Sequence, residues 1–202
     1  MPSRREIVAF HDDEPPPGSS PWVVDGPTGD VSVVEPDPDW PQWYQIVAER
    51  IRDALGWRVL DLNHVGSTAV PGLPSKPIID IDLTVADPSD EESYVPALEA
   101  VGFELRVREP WWFEHRMLRA TDIRCNLHVF GYDSPELIKH RIFRDWLRGN
   151  PDEAAFYASV KQDAATASNA AGEDVGEYNR RKQDAVHAIY NRAFRAMGLL
   201  PD

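Results

Sequence analysis

One short segment, residues 78–85, most constrains how this chain can fold. It is rich in β-branched and apolar residues, a composition typical of a β-strand. Because side chains alternate along a strand, Asp80 and Asp82 fall on one face and the apolar residues fall on the other. Two neighbouring carboxylates repel each other and resist burial, and a divalent cation relieves both costs. Oxygen ligands suit Mg²⁺ or Mn²⁺, so Asp80 and Asp82 are the predicted metal ligands.

A glycine–serine pair precedes this strand. Gly66 and Ser67 follow an apolar stretch, residues 57–65, which predicts a strand that ends in a tight turn. Glycine lets the backbone approach a ligand closely, and the free amides beyond it favour an anion such as phosphate. Lys76 stands at the end of the proline-rich connection, so we predict that Gly66, Ser67 and Lys76 bind phosphate. The alternative is an ordinary loop before a strand whose aspartates are solvated.

The two segments together resemble known proteins. Gly66-Ser67, twelve residues and then Asp80-Ile81-Asp82 is similar to the motif of the nucleotidyltransferase superfamily. The longer string HVGSTAVPGLPSKPIIDI, residues 64–81, resembles the GrpB family, and this resemblance extends over about residues 31–197. It implies an α/β fold, in which a small mixed sheet is flanked by helices and followed by a C-terminal helical part.

The chain divides into a tail and one domain. Residues 1–30 are rich in proline and acidic residues, which predicts a flexible tail. Its few apolar residues, Trp22 among them, could pin parts of the tail onto the domain or onto a second subunit. The predicted domain is residues 31–198, with a mixed sheet over about residues 31–132 and helices over about residues 134–198.

Hydrophobic periodicity and capping residues predict the individual elements. The predicted strands are residues 31–34, 57–65, 78–85, 103–109, 112–119 and 124–130. The predicted helices are residues 41–55, 89–101, 135–148, 152–171 and 175–197.

The last predicted strand carries the third group of polar residues. Alternation places Arg124, Asn126 and His128 on one face. The nucleotidyltransferase pattern usually has a third carboxylate on such a neighbouring strand, and this face has none. His128 is therefore a candidate metal ligand or general base, which with Asp80 and Asp82 completes the predicted catalytic residues. The alternative is a hydrogen-bonded structural histidine.

Cations recur in the helical half of the chain. Arg141, Arg144 and Arg148 share one face of a predicted helix, and Lys161 lies on the next helix. The resemblance to GrpB proteins continues through Arg144, Arg148 and Lys161, which supports a phosphate-binding role for these three. The alternative is a solvated face paired with the acidic excess of the chain.

The net charge of −13 argues against general affinity for nucleic acid or for an anionic membrane. A single cysteine, Cys125, excludes an internal disulfide and fits a reducing cytoplasm. No apolar run approaches the length of a membrane span. We therefore expect a cytoplasmic protein, with a homodimer as one candidate assembly.

Taken together, the residues and the resemblance favour a metal-dependent nucleotidyltransferase. It would use Mg²⁺ or Mn²⁺ to move a nucleotidyl group from a nucleoside triphosphate to an unknown small-molecule or protein acceptor. The alternative is a non-catalytic nucleotide- or CoA-related binding module, since GrpB proteins are also found fused to some dephospho-CoA kinases. A two-metal hydrolase is a third hypothesis, and fold similarity alone does not choose among them.

Overall fold

The computed structural model describes three ranges of the chain: residues 1–10, 15–24 and 29–201. Part of the predicted tail, residues 11–14 and 25–28, lies outside the described residues. Within them, the sheet strands are β1 (Asp61–Val65), β2 (Ile79–Val85), β3 (Phe103–Glu109), β4 (His115–Ala120) and β5 (Cys125–Gly131). The α-helices are α1 (Arg4–Val8), α2 (Trp40–Leu55), α3 (Val95–Glu99), α4 (Pro135–Gly149), α5 (Pro151–Ala171) and α6 (Val175–Ala196).

The strands form one mixed sheet in the order β1-β2-β5-β4-β3. Strands β2 and β5 are parallel, whereas the other neighbouring strands are antiparallel. This sheet, followed by three long helices, confirms the predicted α/β architecture. The register places Asp80 opposite Asn126 and Asp82 opposite His128, so the polar residues of the two central strands are neighbours.

The two faces of the sheet differ in character. The apolar face packs on α2 and α3, and Ile79, Ile81 and Leu83 of β2 are fully buried there. Burial of each such side chain contributes roughly 1.5–3 kcal/mol, and this layer fixes which way the opposite face points. That opposite face carries the two aspartates of β2, as alternation predicted, and Asp82 contacts His140 of α4 from it.

Two predicted strands begin later or are shorter than expected. Residues 31–34 form only a single bridge, in which Val34 and Ser75 exchange backbone hydrogen bonds of 2.9 and 3.0 Å. Pro36 and Pro38 lie just beyond this segment, and proline cannot donate to a ladder. Strand β1 starts at Asp61 because the chain first makes a 3-10 turn, Gly56–Arg58.

Two further predictions are corrected around α3 and β4. The predicted helix over residues 89–101 is a 3-10 turn followed by the short α3, because Ser89 donates to Asp87 at 2.7 Å and caps no helix. Strand β4 starts at His115, since Phe113 and Glu114 both have a φ of 52° and form a turn. A positive φ is incompatible with extended backbone, which explains the later start.

Two described parts of residues 1–30 lie against the domain. The ring of Phe10, just after α1, stacks on His187 of α6 with centroids 3.9 Å apart. Nζ of Lys139 donates to the carbonyl of Ala9 at 2.9 Å. Further along, Trp22 forms an antiparallel bridge with Val107 of β3. The apolar residues of this segment therefore contact the domain, while its flexibility stays a prediction.

The C-terminal helices pack on one another through aromatic side chains. Phe143 of α4 contacts Tyr157 of α5 and Tyr190 of α6, with ring centroids 5.3 and 4.8 Å away. These contacts hold α5 and α6 beside the polar face of the sheet. None of the helices in the described ranges combines the length and apolar character that a membrane crossing requires.

Candidate functional site

The turn after β1 lies directly against the first aspartate of β2. Val65 is opposite Asp80 in the antiparallel pair, and the chain then turns at Gly66, which has a φ of 67° and a ψ of −168°. A Cβ atom at position 66 would lie 2.5 Å from Oδ2 of Asp80, so glycine is required there. Ser67 then begins a single 3-10 turn. The structure thus brings together Gly66, Ser67 and Asp80.

Asp80 keeps its charge in this position. Nδ2 of Asn126 donates to Oδ1 of Asp80 at 2.9 Å, and Nε2 of His128 lies 3.8 Å from the same oxygen. Burial by itself raises the pKa of Asp80, but the nearby His128 imidazole, the hydrogen bond from Asn126 and the charge of Lys76 bring the pKa below its ordinary value. Asp80 is therefore a carboxylate throughout the neutral range.

Asp82 is bound by a histidine that the sequence did not single out. Nδ1 of His140 lies 3.1 and 3.0 Å from the two carboxylate oxygens of Asp82, which is only 1% exposed. Burial lowers the pKa of His140, but the charge of Asp82 and its hydrogen bond outweigh burial and raise that pKa to about 9. His140 is thus an imidazolium that donates to Asp82 at neutral pH. It lies on α4, and no local pattern relates it to β2.

A chain of hydrogen bonds reaches His128 from β3. Oε2 of Glu109 lies 2.7 Å from Nδ1 of His115, and Nε2 of His115 lies 3.1 Å from Nδ1 of His128. Burial lowers the pKa of His115 to about 4, so this ring is neutral at pH 7. It therefore donates through Nδ1 to Glu109 and accepts at Nε2 from His128. Nε2 of His128, on the Asp80 side, is left to exchange a proton.

A cavity of about 470 Å³ opens between the polar face of the sheet and helices α5 and α6. This volume lies within the usual range of small-molecule sites. Six of the predicted site residues line it: Gly66, Ser67, Lys76, Asp80, His128 and Lys161. Asp82, Arg144 and Arg148 do not line this cavity.

Three lysines form a cationic wall of this cavity: Lys76 before β2, Lys161 on α5 and Lys182 on α6. Burial lowers the pKa of Lys76, Lys161 and Lys182 to about 8, 7 and 8, respectively, and the charge of Lys182 lowers the pKa of the other two further. Nζ of Lys161 donates to the carbonyl of Pro74. The other two ammonium groups lie over the Tyr178 ring, 5.2 and 5.0 Å from its centroid. No carboxylate of the described residues forms an ion pair with any of the three. Sequence analysis selected Lys76 and Lys161 but gave Lys182 no separate role.

The two predicted phosphate-binding arginines contact the turn from outside the cavity. Nη1 of Arg144 donates to the carbonyl of His64 at 2.9 Å. Nε and Nη2 of Arg148 both donate to the carbonyl of Ala69, at 2.9 and 2.7 Å. The structure therefore does not bring these arginines to the cavity. Their contacts fix the position of the Gly66 turn instead.

The side chains at the site are only partly suited to bind a divalent cation. Asp80 is a charged carboxylate that lines the cavity, whereas Asp82 is already bound by His140. Among the described residues, no group of three or more histidine, cysteine, aspartate or glutamate side chains is arranged to hold a metal. Mg²⁺ is commonly held by only one or two carboxylates together with substrate phosphates. Asp80 fits such a role, and Asp82 fits it only if His140 releases it.

The comparisons with known proteins agree on one family. Residues 30–192 match the family model described as GrpB protein. A UPF0157 protein of Halalkalibacterium halodurans is 46% identical over 163 residues, which cover 81% of this chain and 82% of that protein. A UPF0157 protein of Streptomyces coelicolor is 38% identical over 172 residues, which cover 85% of this chain and 89% of that protein.

A dephospho-CoA kinase and a solved structure extend the comparison. The kinase, from Mycolicibacterium paratuberculosis, is 29% identical over 192 residues, which cover 81% of this chain and 46% of the kinase. The crystal structure of the conserved protein GrpB from Enterococcus faecalis superposes with a TM-score of 0.72 at 27% identity. That match covers 83% of this chain and 99% of the other.

Proposed function

This chain belongs to the GrpB family, and we propose that its cavity binds a nucleoside triphosphate and transfers the nucleotidyl group to an acceptor. The observation that carries this proposal is the cationic wall of Lys76, Lys161 and Lys182, which faces the same cavity as Asp80. Buried ammonium groups without a counter-ion are costly, and charge-assisted hydrogen bonds to phosphate offset that cost. A polyphosphate supplies several charges at the spacing of neighbouring side chains.

The proposed roles follow from the positions of the side chains. The amides of the Gly66–Ser67 turn and the hydroxyl of Ser67 bind phosphate oxygens, and the three lysines neutralise the remaining phosphate charge. A divalent cation held by Asp80 would neutralise charge on the reacting phosphate when bound. The acceptor attacks the α-phosphorus, the bond from that phosphorus to the bridging oxygen breaks, and pyrophosphate leaves. Nε2 of His128 takes the proton of the acceptor.

A second candidate function has its own support. Asp82 is held by His140, and β5 offers Asn126 and His128 where a third carboxylate would stand. These features favour a non-catalytic module that binds a nucleotide or a CoA-related molecule. The similarity to a dephospho-CoA kinase, which is named for a CoA-related substrate, supports the same alternative.

Thermal unfolding tests nucleotide binding directly. The protein is heated with ATP, GTP, CTP or UTP, each with Mg²⁺, with Mn²⁺ or with a chelator. A ligand at one hundred times its Kd stabilises the folded protein by roughly 2.7 kcal/mol. Stabilisation that needs metal and is lost in Asp80→Asn supports the proposed transferase, and pyrophosphate release with an acceptor completes the test. Metal-independent stabilisation without pyrophosphate release supports the binding module. No stabilisation by any nucleotide contradicts both the transferase and a nucleotide-binding module.

A further inference from the structure

Trp22 reaches the cavity from outside the part of the chain that matches the family model. That match begins at residue 30. The backbone around Trp22 pairs with β3: the amide of Val23 donates to Arg106 at 2.9 Å, and the amide of Arg108 donates to Pro21 at 2.8 Å. These two hydrogen bonds add a short antiparallel segment to the edge of the sheet. They fix the backbone position from which the indole projects.

The strand register places Trp22 in line with the candidate catalytic residue. Trp22 is paired with Val107, Val107 with Met117, and Met117 with His128. Directly paired residues project from the same face of a sheet, so the indole shares a face with the His128 imidazole. Three strand spacings of about 4.8 Å separate them, which is roughly 14 Å. Trp22 and His128 accordingly line the same cavity.

The face of the Trp22 indole is available for a ligand. The residue remains 41% exposed, and in the described part of the chain no aromatic ring contacts it. The other tryptophan of the cavity, Trp112, already packs its ring edge-to-face against His115 and Phe130, with centroids 4.9 and 5.6 Å away. Trp22 is therefore the cavity tryptophan whose ring is not yet used in aromatic packing.

We propose that Trp22 stacks on the base of the bound nucleotide. The cavity has an apolar end at Trp22, Val107 and Met117 and a cationic wall of three lysines, which matches a nucleotide with a planar base and a charged phosphate chain. Stacking on an aromatic ring is favourable for every base, so Trp22 gives affinity for the nucleoside part without selecting one base. This inference rests on the proposed function and names the residue that holds the base.

Calorimetric titration with ATP and with inorganic tripolyphosphate separates the two ends of the ligand. Tripolyphosphate carries the phosphates without a base. Trp22→Ala should weaken ATP binding at least about fivefold, the lower range of base stacking on an aromatic residue, and leave tripolyphosphate binding as in the wild type. Trp22→Phe should retain most of the ATP affinity. Trp57→Ala is the matched control, because Trp57 is 83% exposed and does not line the cavity.

The other outcomes of these titrations refute either base stacking alone or the proposed function as well. Equal ATP affinity in the wild type and Trp22→Ala, or an equal loss of ATP and tripolyphosphate affinity, refutes base stacking while the proposed function stands. Failure of the wild-type protein to bind ATP, GTP, CTP or UTP with any metal refutes the proposed function, and base stacking with it. Unchanged tripolyphosphate binding in Trp22→Ala also shows that the variant keeps a folded cavity.

Discussion

Gly66 and Asp80 are packed so closely that no side chain fits between them. A Cβ atom at position 66 would lie 2.5 Å from Oδ2 of Asp80. The same glycine has a φ of 67° and a ψ of −168°, a backbone conformation that is essentially restricted to glycine. This contact joins the turn to the aspartate strand, so the geometry of the proposed phosphate site depends on it.

We predict that Gly66→Ala strongly destabilises the protein. Backbone strain of about 1–3 kcal/mol adds to overpacking of about 1–3 kcal/mol, so the free energy of unfolding should fall by roughly 2–6 kcal/mol. Gly72→Ala is the control, since Gly72 also has a positive φ, of 76°, but has open space where its Cβ would stand. Urea unfolding of both variants measures the difference. Equal destabilisation would show that contact with Asp80 is unimportant.

We predict that the Asp82–His140 pair makes stability depend on pH. The pKa of His140 is raised to about 9 in the folded protein, above the ordinary value of 6.5. The stability gained from the charged imidazolium is therefore fully present below about pH 6.5 and is lost as the pH rises through about 9. The shift corresponds to about 3 kcal/mol.

The measurement compares wild type and His140→Gln by urea unfolding between pH 6 and pH 10. Other buried groups titrate in both proteins, so the difference between the two curves isolates His140. That difference should be largest at pH 6 and shrink toward pH 10. A difference that is constant with pH would mean that His140 is uncharged when bound to Asp82.

Lys182 should favour ligand binding at the expense of stability. Burial lowers its pKa to about 8, so its protonated form is disfavoured in the folded protein. Lys182→Met should raise the free energy of unfolding at pH 7 by about 1–2 kcal/mol. It should also weaken tripolyphosphate binding at least about tenfold, the value of one charge-assisted hydrogen bond.

The control for Lys182 lies on the same helix. Arg180 has a side chain that is 68% exposed and forms an ion pair with Glu177. Arg180→Met should change both stability and tripolyphosphate affinity little, because exposed ion pairs contribute at most about 1 kcal/mol. Urea unfolding and calorimetry measure the two quantities. If Lys182→Met binds tripolyphosphate as tightly as the wild type, the cationic wall is not the phosphate site.

Arg148 should act on the turn and not on the phosphate. Its guanidinium donates twice to the carbonyl of Ala69, so Arg148→Met leaves that carbonyl without its partner and should cost about 1–3 kcal/mol of stability. The affinity of the folded variant for tripolyphosphate should remain close to that of the wild type. Calorimetry under conditions where the variant is folded checks this. A loss of affinity like that expected for Lys182→Met would restore the phosphate role that sequence spacing suggested.

Local patterns were sufficient for the parts of the site that are close in sequence. β-branched residues and alternation predicted the strand over residues 78–85 and placed Asp80 and Asp82 on one face. The glycine–serine turn was predicted because Gly66 and Ser67 directly follow an apolar stretch. In each case the information lies within a few residues of the feature.

The rest of the site depends on contacts between distant elements. Helical spacing placed Arg144 and Arg148 on one face but did not reveal that this face meets backbone carbonyls of the turn. His140 and Lys182 lie on helices whose rotation about the sheet is set by packing, so nothing local connects them with β2. The cytoplasmic location and the homodimer stay predictions.

A crystal structure of the protein soaked with a non-hydrolysable ATP analogue and Mn²⁺ tests the central claim most directly. We predict anomalous density for Mn²⁺ beside Asp80, with the phosphates of the analogue against Lys76, Lys161 and Lys182. An empty cavity at saturating analogue, or an analogue bound with its phosphates away from these lysines, would contradict the account.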